Sequence, residues 1–76
     1  MRYQLNQDHL QEGERIRLRN AVAERVYILS NRSGTQPVLF KALYTALKER
    51  YAVSFYGDIK RNQMQDALRF IAQWRG

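Results

Sequence analysis

Phe40, Leu43, Tyr44, Leu47 and Tyr51 recur at spacings of three and four residues, which places them on one face of a helix, while Lys41, Lys48 and Glu49 fall on its other side. An apolar face of that width has to be covered. The stretch FKALYTALKERYAVSFYGDI, Phe40 to Ile59, therefore reads as the unit on which the rest of the chain packs. After Tyr51 the helical period is lost: Ala52-Val53-Ser54-Phe55-Tyr56 alternates apolar with small or polar residues, and Gly57-Asp58 marks a turn ahead of Ile59.

Two more helices follow from the same reasoning. Leu18, Val22, Val26 and Leu29 are spaced i, i+4, i+8, i+11, with Ile16, Ala23 and Tyr27 widening the apolar sector. Near the end of that stretch Val26, Tyr27, Ile28 and Leu29 cover almost the whole circumference. Either a second chain or the last helix has to cover the excess. Ser30-Asn31-Arg32-Ser33-Gly34-Thr35-Gln36 reads as a stop and restart, in which Gly34 supplies a left-handed residue, Thr35 or Gln36 a cap, and Pro37 the first turn of the next helix. Met64, Ala67, Leu68, Ile71 and Trp74 mark the inward face of the last helix, and Gln65, Asp66, Arg69 and Gln73 its outward one.

The fold this predicts is all-α: a small three-helix domain with helices at about Glu14 to Ser30, Pro37 to Tyr51 and Arg61 to Trp74, and a short extended aromatic segment at Val53 to Tyr56 between the second and third. Residues 1–4 read as a disordered lead-in and residues 5–76 as a single domain. Leu5-Asn6 are candidates for a staple and N-cap, and Asp8, Glu12 and Glu14 suit the positive end of the first helix. Gly13 is its weak point, which argues for a main helix starting near Glu14.

At 76 residues such a domain buries only roughly 60% of the surface its unfolded chain exposes, so a partner or a second copy would add stability. There is no cysteine, hence no disulfide, zinc ribbon or thiol chemistry. The longest apolar run is Val26 to Leu29, far short of the roughly 20 residues of a membrane span, and no secretion signal opens the chain, so the expected place is the cytoplasm. Thirteen Lys and Arg against seven Asp and Glu give a net charge of +6, which favours polyanions or an acidic protein surface.

Catalysis is the weakest reading. His9 is the sole histidine and suits an exposed place in a first turn, and Asp58 and Asp66 have no partner that suggests acid and base roles. Asp58 reads better as a support or cap for the turn with Gly57. No cofactor or metal is expected. Direct nucleic-acid binding has more in its favour: Arg15 and Arg19 share a helix face, and Lys60 and Arg61 stand where the last helix begins. Lys41 and Lys48 add cations on the outer side of the central helix. The link from Tyr51 to Arg61 is nevertheless too long for a helix-turn-helix, whose turn takes about 3 to 4 residues. The aromatics Tyr44, Tyr51, Phe55, Tyr56 and Trp74 read as core in preference to a stacking platform, with Tyr3 and Phe70 exposed. Phe70, off the main stripe of its helix, joins Tyr27 and Ile28 as a candidate oligomer or partner surface.

Taken together, RNAVAERVYILS, a Ser/Gly break, LYTALKERYAV, the Tyr56-x-Asp58-Ile59 element and the Ala67-Leu68-x-Phe70-Ile71 helix resemble the carboxyl-terminal domain of temperate-phage antirepressor proteins. The most telling part is the order helix, Arg-Tyr-x-Val, Ser-Phe-Tyr, Asp-Ile, helix, from Arg50 through Ile71. The chain departs from that pattern at Ala52, where the family usually has Gly, and at Lys60, where it commonly has Pro. Such a domain normally trails a separate amino-terminal module, so the chain is either an excised domain or a stand-alone relative. The resemblance implies a protein, acting in a bacterial host, that binds a transcriptional repressor or associates with its own copies and so modulates phage gene expression.

Overall fold

The computed structural model describes residues 9–30 and 35–76. The lead-in, the candidate cap at Leu5-Asn6, Asp8, Tyr3 and the left-handed role given to Gly34 lie outside the described residues. Three helices carry the fold: α1, Glu12–Leu29; α2, Gln36–Tyr51; and α3, Met64–Gln73. Two single 3₁₀ turns, Tyr56–Asp58 and Arg61–Gln63, fill the connection between α2 and α3.

The first helix begins two residues earlier than Glu14, with Gly13 inside it. Gln11 stands in extended backbone as its cap, and the Gln11 N–H donates to Glu14 Oε1 at 2.8 Å, one half of a capping box. Gly13 stands in the first turn of α1, where glycine's entropic cost is smaller than in the middle of a helix. Glu12 and Glu14 do fall in the first turn, against the positive end of the dipole. Thr35 takes the cap position of α2 and Pro37 its first turn.

Leu18, Val22 and Val26 from α1, Leu43 and Leu47 from α2, and Met64, Ala67 and Ile71 from α3 are buried together, closed off by Leu10 and Ile59. Each fully buried Leu or Ile contributes roughly 1.5–3 kcal/mol. The helix on which the others lean is α1, which packs along both α2 and α3. The sequence pointed to α2 for that part because its stripe is broad and aromatic. Phe40, Tyr44 and Tyr51, however, are half-buried rings at the edge of the core, and the fully buried stripe of α1 is the one contacted from two sides.

The connection after α2 is less extended than the alternation of Val53 to Tyr56 suggested. Ala52 ends the helix in the left-handed conformation, φ 55° and ψ 45°, Phe55 is extended, and Tyr56 already opens a 3₁₀ turn. Asp58 is the last residue of that turn, and the position ahead of the last helical segment belongs to Lys60, whose N–H donates to Gln63 Oε1 at 3.2 Å. The buried Ile59 binds the other end of the chain: its carbonyl accepts the Leu10 N–H at 3.2 Å, and His9 pairs with Lys60 in an isolated antiparallel bridge. His9 is exposed, as expected, but in this bridge and not in a helical turn.

Candidate functional site

Two surfaces gather the residues singled out from the sequence, one toward each end of α1. At its carboxyl end Tyr27 and Ile28 are 58% and 65% exposed, although they sit in an otherwise apolar turn with the buried Val26. Tyr27 leans toward α2, its ring meeting that of Phe40 edge to face with centroids 6.2 Å apart. Ile28 faces the other way, toward α3. There Ala21, Arg25, Ile28, Leu68, Ile71 and Ala72 line a groove of about 250 Å³, with Glu24 at its rim. Helix α3 therefore covers Val26 but leaves Ile28 open. Arg25 secures the far side of the groove, its Nε donating to the Trp74 carbonyl at 2.7 Å, where α3 ends.

Phe70 belongs to neither end. Half-buried rather than exposed, it packs against the core with the Arg50 guanidinium 4.9 Å above its ring. Arg50 also donates to Asp66, at 3.1 Å to Oδ2 and 3.3 Å to Oδ1, and the Tyr51 hydroxyl donates to Asp66 Oδ2 at 2.5 Å. Asp66 thus reaches across to α2 while its side chain stays 45% exposed. The Tyr51 bond, and after it Arg50, hold the Asp66 carboxyl below its usual value against partial desolvation. Burial first, and the bond to Asp66 second, push the Tyr51 phenol up.

Toward the amino end of α1 lie the cations and the connection. Arg19 donates to the Tyr56 hydroxyl at 3.1 Å, which raises its already high pKa. The rings of Tyr44, Tyr56 and Phe55 follow one another, with centroids 5.4 Å apart for the first pair and 4.8 Å for the second. Phe55 is 49% exposed, so the reading of all these aromatics as core holds for the half-buried Tyr44 and Tyr56 and fails for Phe55. The Phe55 ring lies against the Gly57 backbone where a Cβ would collide with its edge. Tyr44, Lys48, Ser54, Phe55 and Tyr56 line a cleft of about 160 Å³.

The six candidate cations divide. Arg15 is occupied, donating to the Leu10 carbonyl at 2.9 Å and to Glu12 at 2.8 Å. Arg61 pairs with Glu14 at 3.1 Å, and the Glu14 carboxyl is lowered by the Gln11 N–H first and by Arg61 second. Among the described residues Arg19, Lys41, Lys48 and Lys60 enter no ion pair. Lys48 lines the aromatic cleft, Arg19 reaches the hydroxyl of Tyr56 from α1, Lys60 stands at the bridge to His9, and Lys41 lies on the outer face of α2 near the 69% exposed Val38. The pairing of Lys48 with Phe55 was not visible in the sequence, because it depends on where the chain goes after Ala52.

Among the described residues no group of three or more His, Cys, Asp or Glu is placed to hold a metal ion, and no helix is long and apolar enough to cross a membrane. Fold and surface together define a small, basic three-helix domain whose open features include an apolar groove and an aromatic cleft. The chain matches the ORF6C domain over residues 3–76 and belongs to that family, a domain found in phage-type antirepressor and replication proteins. No curated protein and no solved structure matched the chain.

Proposed function

We propose that this chain is an antirepressor-type interaction domain, which binds a repressor-like protein or a second copy of itself through the carboxyl end of α1 and thereby modulates phage gene expression in the bacterial cytoplasm. The observation that carries the reading is the exposure of Tyr27 and Ile28 beside an apolar groove that α3 leaves unfilled. Side chains of that size on the surface of a small basic domain are what a protein interface needs at its centre. No bond has to be made or broken in such a task, and the excess of positive charge speeds encounter with an acidic partner. Membership in a family found in phage-type antirepressor proteins supports the same reading.

Sedimentation and light scattering test the self-associating form: a dimer or larger species is expected, reduced to monomer by Ile28→Asp with helicity unchanged. For the repressor-binding form, a phage repressor held on its labelled operator should be released by the unaltered chain and retained with Ile28→Asp. A chain that stays monomeric at high concentration and releases no repressor would rule the proposal out.

A further inference from the structure

The cleft between α2 and the connection is lined by other residues than the groove beside Ile28. The geometry points to a stacking site for single-stranded nucleic acid, in which the half-exposed ring of Phe55 receives a base and Lys48 and Arg19 receive the flanking phosphates. This inference goes beyond the interaction reading and does not rest on it.

Three features converge there. The rings of Tyr44, Tyr56 and Phe55 form a contiguous aromatic cluster, tilted 43° and 58° from one to the next, and Phe55 at its outer end is 49% exposed, so a planar base can stack on Phe55 itself. That ring rests against the Gly57 backbone, in a place that a larger residue there would not leave it. The cleft beside it, about 160 Å³ and lined by Ser54 with the aromatics, suits one flat ring, and Ser54 brings a hydroxyl for hydrogen bonding to a base edge. The cations flank the rings: Lys48 lines the cleft, Arg19 touches the Tyr56 hydroxyl at 3.1 Å, and among the described residues neither is in an ion pair.

The chemistry favours single strands. Every base offers a π face whatever its identity, and aromatic stacking beside a cationic groove is the common way of holding an unpaired strand. A duplex keeps those faces covered, leaving Phe55 with nothing to stack on. An acidic peptide would satisfy Lys48 and Arg19 but would make no use of the open ring.

A short fluorescein-labelled oligothymidylate, titrated with the full chain at low salt and followed by anisotropy, gives the test. Saturable binding is expected, at least about tenfold tighter than for a duplex of the same length. Phe55→Ala should weaken it about tenfold, the loss of roughly one stacked base. For two phosphate contacts the slope of log K against log salt should be about −1.4, and Lys48→Gln should bring it nearer zero by about 0.7. Phe55→Trp should retain binding and show its emission quenched by the oligonucleotide, a readout that stands even if Phe55→Ala fails to fold. Equal affinity for duplex, equal competition by an oligoglutamate of matched charge, unchanged binding by folded Phe55→Ala, or an unmoved Phe55→Trp emission would each overturn the inference.

Discussion

Tyr51 and Asp66 show how much a single pair adds to what periodicity can tell. The spacing of α3 put Asp66 on the outer side, and by spacing alone it belongs there. The reach of Tyr51 and Arg50 from the end of α2 turns it into the acceptor that ties α2 to α3, and nothing in either helix's own sequence announces a contact across 15 residues of chain. The pair also gives stability a pH dependence of known sign. The Asp66 carboxyl is depressed in the fold, so its contribution is complete above the unfolded value near ~4 and is lost as pH falls through the folded one. The Tyr51 phenol is raised, so its contribution is complete below about 10 and is lost as pH climbs through the folded value. Denaturant midpoints should therefore be flat between these limits and fall on both sides. Tyr51→Phe should cost about 1 kcal/mol near neutrality and shrink the alkaline fall, leaving the part due to Tyr44, whose phenol burial also raises. An alkaline limb identical in the variant would exclude Tyr51 as its source.

Among the elements, the bounds of α2 and the carboxyl end of α3 were legible to within a residue and the buried stripes of all three helices were too, whereas α3 opens at Met64, three residues after the expected Arg61, because Arg61–Gln63 form a 3₁₀ turn. The start of α1 was misread by two residues, since Gly13 was weighed as mid-helix when Gln11 and Glu14 cap the turn that holds it. The end of α2 holds a stored cost. Ala52 occupies the left-handed region, φ 55°, where a Cβ crowds the backbone by roughly 1–2 kcal/mol. Glycine would remove that crowding at an entropic cost of about 0.5–1 kcal/mol in the unfolded chain. Ala52→Gly is therefore expected to stabilise the domain by roughly 0.5–1 kcal/mol, a rise in Tm of about 4 °C by calorimetry. A lower Tm would mean that the Ala52 methyl contributes more to packing than its exposed position indicates.

For the molecule as a whole, composition gave size, charge and class, and resemblance gave the family, but neither showed how the surface divides. That division depends on α1, which presents Arg19 at one stage of its length and Ile28 about 14 Å further along, at 1.5 Å of rise per residue. The groove and the cleft are thus separate, and Ile28→Asp should leave oligonucleotide binding unchanged. Phe55 was misplaced because its exposure is a property of the closed body: it depends on Gly57, Tyr56 and α2 arriving together. The junction of Leu10 with Ile59 is closed in the same sense. Its amide lies outside every helix, yet it donates to a carbonyl of a fully buried residue 49 positions later. Local fraying cannot release it without separating the two ends of the loop. In deuterated water this lone proton should consequently persist as long as the slowest helical ones, reporting the rupture of the entire body, whereas an early loss would reveal that the first strand of chain detaches by itself.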